Sequence, residues 1–194
     1  MAVEEYCDGN FLEELQEAYD KSSGEWWEGA REEVCLGVTG EMLRWFQRNL
    51  NDELYRMWCP GPHKSFKRLE FSDVWGEVVE ESPAPYRPVK FLLRHPGPET
   101  SPWADSLNVP INQCCYVESI DLNGRILFKI LHECLPYKDK TIMKTRYLLP
   151  KAVNERARKA FVDHQNEEYR FEHFLPQLYR EKTWMTQEVC AVLG

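Results

Sequence analysis

The sequence lacks long apolar runs and dense positive charge. None of its apolar stretches reaches the roughly 18 residues that a membrane-spanning helix needs, and it opens with MAVEEYCDGN, which is acidic where a secretory signal peptide is basic and then apolar. The net charge of −8 argues against a nucleic-acid partner, because phosphate backbones are bound by clustered Lys and Arg. We therefore expect a cytoplasmic protein whose partner is neither a membrane nor a nucleic acid.

Cysteine-based sites are also missing from the sequence. The seven cysteines are odd in number and show neither CxxC nor zinc-finger spacing, so neither a disulfide framework nor a cysteine-ligated metal is supported. We expect all seven to be reduced thiols, with Cys114 and Cys115 as ordinary strand residues. The chain has no internal repeat, low-complexity segment or long linker. Its length suits one domain, so residues 1–194 are expected to form a single domain with a core large enough to enclose a ligand.

Apolar residues at helical spacing mark both ends of the chain. A first helix is predicted around Phe11 to Tyr19, before SSG, with Trp26-Trp27 anchoring it to the body of the protein. In GVTGEMLRWF, Thr39 occupies the N-cap position of a second helix. After residue 150 the pattern AVNERARKAFVDHQNEEYRFEHFLPQLYREK predicts a long C-terminal helix punctuated by Pro176.

The middle of the chain has the texture of an antiparallel sheet. Five strands are predicted in SDVWGEVVEE, PVKFLLRHP, INQCCYVESIDL, NGRILFKILHECL and KTIMKTRYLLP. Asn123-Gly124 suits a type I′ hairpin turn, and the proline-rich CPGPH segment predicts a loop that exposes His63. The expected architecture is α+β, with a curved antiparallel sheet wrapped around the C-terminal helix and a ligand cavity between them.

One pair of residues in the last helix could bind a metal ion. His164 and Glu168 are four residues apart, so they project from the same helical face. The spacing alone is weak, because His95 and Glu99 repeat it elsewhere in the chain. On this motif alone, a solvated helical face is the better explanation of the pair.

Several motifs, taken together and in order, give the pair more weight. GVTGEMLRWF, ELYRMWCPGPH, KILHECLPYKD, MKTRYLL and HQNEEYRFEHFLPQLY resemble segments of the diacetylphloroglucinol and phloretin hydrolase family, over about residues 37–182. The resemblance implies a helix-grip fold (START and Bet v 1-like). It also implies a zinc-dependent hydrolase that cleaves the carbon–carbon bond between an acyl group and a phenolic ring. The implied partner is a small aromatic ketone substrate, and family members suggest a homodimer.

The resemblance assigns candidate residues position by position. The implied zinc ligands are two histidines and two carboxylates, namely His63, Glu77, His164 and Glu168. Glu80 is the alternative for the strand ligand, three residues after Glu77. The implied catalytic residues are His132, Tyr55 and Tyr147. Each of these three also has a plainer interpretation as a core residue with a satisfied polar group.

The chemistry is consistent with these residue types. Two imidazoles and two carboxylates suit Zn²⁺, and their charges neutralise it. The imidazole of His132 could shuttle a proton, and the hydroxyls of Tyr55 and Tyr147 could bind those of a phenolic substrate.

The sequence departs from the family pattern in two places. Cys59 replaces the usual histidine of the Trp-His-Pro loop, and the polar group expected just after the zinc histidine falls at Ser65 or Phe66. The chain also looks shorter at its N-terminus than the bacterial enzymes, so we expect part of the family's pocket wall to be either missing or supplied by another subunit.

Two further interpretations stay open. LPYKDKTIMKTRY resembles a strand pair of START-like sterol-transfer domains, which predicts a non-catalytic carrier of a small apolar ligand. An acidic interaction module would explain the net charge but not the C-terminal motif. The identity of the acyl phenol does not follow from the sequence.

Overall fold

A computed structural model of the chain describes residues 10–69, 74–81, 86, 88–138, 140–168 and 170–193, of which 74, 75, 79, 81 and 183–193 are described by their backbone alone. Its five helices are α1 (Phe11–Ser22), α2 (Gly40–Asn49), α3 (Asp52–Trp58), α4 (Glu155–Glu167) and α5 (Phe171–Leu193). Its seven strands are β1 (Trp26–Leu36), β2 (His63–Arg68), β3 (Val74–Glu81), β4 (Pro88–Arg94), β5 (Cys114–Ile120), β6 (Ile126–Tyr137) and β7 (Lys140–Pro150).

The seven strands form one antiparallel sheet in the order β1-β7-β6-β5-β4-β3-β2. Strands β2 to β7 follow one another as a meander. The last strand, β7, also pairs with the first strand, β1, along the whole length of β1. The curved sheet packs its concave face on α4, where the Phe161 ring meets Phe128 and Tyr147 at centroid distances of 5.1 and 5.3 Å. The predicted α+β helix-grip architecture is therefore confirmed.

Local sequence signals explain where the helices begin. The side chains of Asn10, Thr39, Asn51 and Asn154 each accept a hydrogen bond from a backbone N–H in the first turn of α1, α2, α3 and α4. The N-cap predicted at Thr39 is confirmed. None of the described helices is long and apolar enough to cross a membrane.

Two strands were missed by the sequence analysis. Trp26 and Trp27 begin strand β1, and from there the Trp26 ring contacts Tyr19 of α1 at a centroid distance of 6.2 Å. His63, which we expected on an exposed loop, begins β2 and is only 2% exposed. Both segments lack a clear alternation of apolar and polar residues, so the period that identifies a half-buried strand is absent from them.

Two finer predictions were also wrong. In the hairpin after Asp121, only Gly124 has a positive φ, at 81°. The amide of Gly124 donates to the Asp121 carbonyl, and that of Asp121 donates to the Arg125 carbonyl, which makes a three-residue loop with a bulge rather than a type I′ turn. The predicted single C-terminal helix is two helices, because α4 ends at Glu167 and α5 begins at Phe171, while Pro176 lies inside α5.

The core has a large part on the concave face of the sheet and a small part on the convex face. The small part is a cluster of Trp103, Cys114, Tyr116, Leu131 and Leu148. The segment between β4 and β5 contributes Trp103 to this cluster and contains three short 3-10 turns. Beside the cluster, Arg146 donates to the fully buried Glu133 at 2.9 Å. The five described cysteines, Cys35, Cys59, Cys114, Cys115 and Cys134, are buried free thiols, and Cys7 and Cys190 lie outside the described side chains.

Candidate metal centre

A cavity of about 80 Å³ lies between the concave face of the sheet and the helices. A single buried water needs only about 10–15 Å³ of such space, so the cavity has room for a small ligand. Most of its wall is aromatic and aliphatic, with rings from six phenylalanines: Phe11, Phe46, Phe91, Phe128, Phe161 and Phe171. Polar groups at the wall include Tyr55, Glu80, His132, His164, Gln165 and Glu168.

His63 is held with one ring nitrogen facing inward. Its Nδ1 lies 2.9 Å from the carbonyl oxygen of Tyr55, and its ring stacks on the Tyr55 ring at 3.9 Å. A carbonyl only accepts, so Nδ1 carries a hydrogen and, in the neutral ring, Nε2 carries a lone pair. This Nε2 lies 3.1 Å from Oε1 of Glu168. Two acceptors so close together require a proton or a metal ion between them.

His164 also directs one ring nitrogen toward the carboxylates. Its Nε2 lies 3.4 Å from Oε2 of Glu80 and 3.5 Å from Oε1 of Glu168. Although the ring is 95% buried, neither of its nitrogens forms a well-aligned hydrogen bond to any part of the chain that the structure describes. A buried polar group without a well-aligned partner needs an explanation, and a metal ion between His164 and the two carboxylates is one that suits its position.

The spacing of three ligand candidates, His63, Glu80 and His164, suits one ion, and Glu168 lies beside both histidines. Atoms bound at about 2.0–2.2 Å to a tetrahedral zinc ion lie about 3.3–3.6 Å from one another. The four distances from a histidine nitrogen to a glutamate oxygen run from 3.1 Å (His63 Nε2 to Glu168 Oε1) to 3.9 Å (His63 Nε2 to Glu80 Oε1). One ligand atom each from His63, Glu80 and His164 lie within 4.8 Å of one another. The donor set therefore fits zinc in both chemistry and size.

The electrostatics of the cluster favour a positive charge at its centre. Burial lowers the pKa of His164, but the carboxylates of Glu168 and Glu80 outweigh it and hold that pKa well above the ordinary value. Burial likewise raises the pKa of Glu168, but His164 and His63 overcome this effect and lower it. Both shifts have the same cause, which is the attraction between the His164 imidazole in its charged form and the Glu168 carboxylate in a buried space.

The strand carboxylate in the cluster is Glu80, so the sequence choice of Glu77 is corrected in favour of its alternative. Side chains on a strand alternate between faces, and residues three apart point in opposite directions. Glu80 faces the cavity with the buried Val78, whereas Glu77 faces outward and pairs with Lys90 at 2.9 Å.

The predicted catalytic residues occupy three different environments. The Tyr55 hydroxyl donates a short hydrogen bond to Glu80, and burial together with the Glu80 charge raises its pKa. His132 lines the cavity, and its Nδ1 lies 2.8 Å from the Thr145 hydroxyl. Burial lowers the pKa of His132 to about 4, so its ring is neutral at physiological pH.

Tyr147 lies apart from the ligand cluster. Its ring packs between Trp27 and Phe161, close enough to Gly29 that a Cβ there would lie 2.3 Å from a ring carbon. It is not among the residues that line the described cavity. The structure therefore brings together six of the predicted or alternative site residues, His63, Glu80, His164, Glu168, Tyr55 and His132, and leaves Glu77 and Tyr147 outside.

Sequence reasoning overlooked two residues that hold Glu168. The Trp58 indole donates to the Glu168 carbonyl at 2.7 Å, and the Gln165 amide donates to Glu168 Oε2 at 2.5 Å. Gln165 could have been found, because a residue three positions before Glu168 shares its helical face.

A second group of possible ligands shares His164. Cys59, His164 and Glu167 also bring one ligand atom each within 4.8 Å. Burial, together with the neighbouring carboxylates, raises the pKa of Cys59 to about 12, so the thiol stays protonated. This group is therefore the weaker metal site, since a thiolate is the binding form.

Comparison with known proteins identifies the fold. No protein-family model matches the chain, and no curated protein matches its sequence. Ara h 8.0201 is similar with a TM-score of 0.55 and 9% sequence identity, over 78% of this chain and 98% of that one. The Zhui aromatase/cyclase of Streptomyces sp. R1128 has a TM-score of 0.53 and 7% identity, over 82% of this chain and 96% of that one. A START superfamily protein of Mycobacterium smegmatis has a TM-score of 0.52 and 13% identity, over 78% of this chain and 98% of that one. The chain thus has the helix-grip fold of Bet v 1-like and START proteins, and identities this low concern the fold alone.

Proposed function

We propose that the protein is a zinc-dependent hydrolase that cleaves the carbon–carbon bond between an acyl group and a phenolic ring. The observation that carries the proposal is the meeting of His63, Glu80, His164 and Glu168, with histidine-to-glutamate separations of 3.1–3.9 Å. All of these residues except His63 line the cavity. The four residues come from β2, β3 and the end of α4 and are each at most 9% exposed. A carrier of apolar molecules gains nothing from burying two carboxylates and two imidazoles in its cavity.

The rest of the cavity suits an aromatic substrate. Phenylalanine rings offer both faces and edges to an aromatic ring, and they exclude water from it. The polar groups are concentrated near the ligand cluster, so a bound aryl ketone would place its ring among the phenylalanines and its carbonyl toward Glu168 and His164. This orientation supports a small aromatic ketone as the partner.

The chain's own residues would divide the work of the reaction. A bound zinc ion supplies a Lewis acid for the carbonyl and lowers the pKa of a water molecule. The reaction adds water to the acyl carbon and returns one proton to the ring carbon, which yields a carboxylic acid and the free phenol. His132 is the residue placed to move that proton, because its ring is neutral at pH 7 and lines the cavity. If Nδ1–H donates to the Thr145 hydroxyl, Nε2 carries the lone pair that takes a proton from the added water and then gives it to the ring carbon.

Tyr55 has a different part in this proposal from the one that the sequence suggested. Its hydroxyl is committed to Glu80 and its ring supports His63, so it positions two ligands rather than the substrate. Gln165 positions Glu168 in the same way. Such hydrogen bonds to ligands typically change metal affinity by about 10–100-fold.

The second candidate function is a non-catalytic carrier of a small apolar ligand. It is favoured by the helix-grip fold and by the mainly apolar wall of the cavity. The two candidates differ in one property, because a carrier would bind its ligand without a metal ion and release it unchanged.

Metal content distinguishes these candidates. Wild-type protein, purified without chelator and then offered zinc, is expected to hold about one zinc ion per chain by mass spectrometry. His164→Ala should lose it, and His173→Ala, an exposed histidine on α5, should retain it. Loaded wild type should then release acid from acylphloroglucinols or phloretin. Protein that takes up no zinc would refute the hydrolase and leave the carrier.

A further inference from the structure

The ring of His132 has one nitrogen bound to the sheet and one that is open to the cavity. His132 lines the cavity and is partly buried, and its Nδ1 lies 2.8 Å from the Thr145 hydroxyl. Its Nε2 has no hydrogen-bond partner within the described parts of the chain, yet it is not enclosed by protein atoms as both nitrogens of His164 are. Nε2 of His132 is therefore free to contact a molecule in the cavity.

Thr145 is placed beside His132 by the register of β6 and β7. The two residues are direct partners across this antiparallel pair, so their side chains lie on the same face of the sheet. Thr145 is 0% exposed, so solvent does not reach its hydroxyl. The contact with Nδ1 thus joins a fixed group of the core to a ring that faces the cavity.

The position of the ring hydrogen follows from the partners of the two nitrogens. A neutral imidazole carries one hydrogen, on either Nδ1 or Nε2. Buried N–H groups without a partner are rarer in proteins than unpaired acceptors, so the nitrogen with a protein partner is the better place for the hydrogen. Within the described parts of the chain, the only partner of either His132 nitrogen is the Thr145 oxygen, which has lone pairs to accept it.

We propose that Thr145 is a positioning residue: its hydroxyl accepts the hydrogen of His132 Nδ1 and thereby keeps the Nε2 lone pair in the cavity. Nε2 can then take a proton from a molecule bound there. The inference rests on the proposed function for the use of this lone pair, which is to take a proton from the added water. The tautomer itself does not depend on zinc or on hydrolysis, so it is tested separately.

Nitrogen NMR of the histidine side chains tests the tautomer, because ring nitrogens with and without a hydrogen have well separated chemical shifts. Full-length protein with isotope-labelled histidine is measured at about pH 7, where His132 is neutral because burial lowers its pKa to about 4. The signals of His132 are identified by their loss in His132→Asn.

Four proteins are compared: wild type, Thr145→Val, Thr145→Ser and Thr141→Val. Serine keeps the hydroxyl, whereas valine keeps the shape of threonine without it. Thr141 is a buried threonine of the same strand whose hydroxyl donates to the Val38 carbonyl at 2.6 Å. Its replacement is therefore the same chemical change away from His132.

Wild type, Thr145→Ser and Thr141→Val are expected to carry the hydrogen on Nδ1 of His132. In Thr145→Val most molecules should carry it on Nε2, because Nδ1 has lost its acceptor and Nε2 can donate to water in the cavity. A hydrogen on Nε2 in wild type, or the same tautomer in wild type and Thr145→Val, would overturn the inference.

Hydrolysis by the zinc-loaded proteins distinguishes a failure of this inference from a failure of the proposed function. Thr145→Val should lower kcat at least about tenfold and change KM less than about twofold, and Thr145→Ser should recover most of the loss. An unchanged kcat in Thr145→Val would overturn the positioning role. A wild type that hydrolyses none of the acyl phenols would refute the proposed function, and the NMR result would still decide whether Thr145 sets the tautomer.

Discussion

His63 and Glu80 are direct partners across the antiparallel pair β2 and β3. Side chains of such partners lie on the same face of the sheet, and here His63 Nε2 lies 3.9 Å from Oε1 of Glu80. The same register places Glu77 opposite Lys67, on a position whose side chain faces outward. The register of two strands thus selects one of two neighbouring glutamates for the site.

This relationship predicts different outcomes for two similar mutations. Glu80→Gln should lower zinc affinity at least about tenfold, because the amide keeps the shape of the ligand but removes its charge. Glu77→Gln should leave zinc affinity unchanged, since it alters only an exposed pair with Lys90. Zinc titration with a competing chelator measures both. Loss of binding in Glu77→Gln with retention in Glu80→Gln would restore the original sequence choice.

A second prediction concerns the two tyrosines. Tyr55→Phe keeps the ring that stacks on His63 but removes the donor to Glu80, so we expect zinc affinity to fall by about 10–100-fold. Tyr147→Phe makes the same change away from the cluster and should leave affinity unaltered. The same titration tests both variants. Equal affinities for the two would mean that Tyr55 does not position a ligand.

The third prediction is a pH dependence caused by His132. Burial lowers its pKa in the folded chain to about 4 from 6.5, so between these pH values the unfolded chain binds a proton that the folded chain does not. The contribution of a neutral His132 to the free energy of unfolding is therefore fully present above pH 6.5. As the pH falls toward 4 this contribution is lost, and the free energy of unfolding drops by at most about 3 kcal/mol.

Urea unfolding of metal-free protein at a series of pH values measures this effect. His132→Asn, which does not titrate, should show a shallower loss of unfolding free energy between pH 6.5 and 4 than wild type. Ring signals of His132 in an NMR titration should stay constant down to about pH 5. A midpoint near 6.5 would disprove the lowered pKa.

A fourth prediction concerns an ion pair that stabilises the fold but lies outside the metal site. Arg146→Leu leaves Glu133 buried without its cation, so the free energy of unfolding should fall by about 3–5 kcal/mol. Lys151→Met breaks an exposed ion pair with Glu25 and should leave the free energy of unfolding nearly unchanged. Urea unfolding measures both values. Zinc binding should persist in both variants under native conditions, because the Arg146 pair lies on the convex face, and its loss in Arg146→Leu would contradict this separation.

The sequence predicted the parts of the fold that have a clear period or a clear cap. The helices begun by Asn10 and Thr39 and the strands of the central meander have such signals, and their positions were found. The strand that begins with Trp26-Trp27 and the short strand that begins at His63 do not have them, so they were missed. The alternation of Val78 and Glu80 could have indicated the correct strand carboxylate, but only if the buried face was known.

By itself, then, the sequence determined the fold class and a set of candidate ligands, because helical and strand periods are local properties of the chain. The tertiary structure alone decided which candidates meet. The register of β2 and β3 sets His63 opposite Glu80, and the end of α4 at Glu167 lies next to them. Tyr147 packs on Phe161 and lies outside the cluster. These are contacts between residues as many as 105 positions apart, and no local pattern encodes such distances.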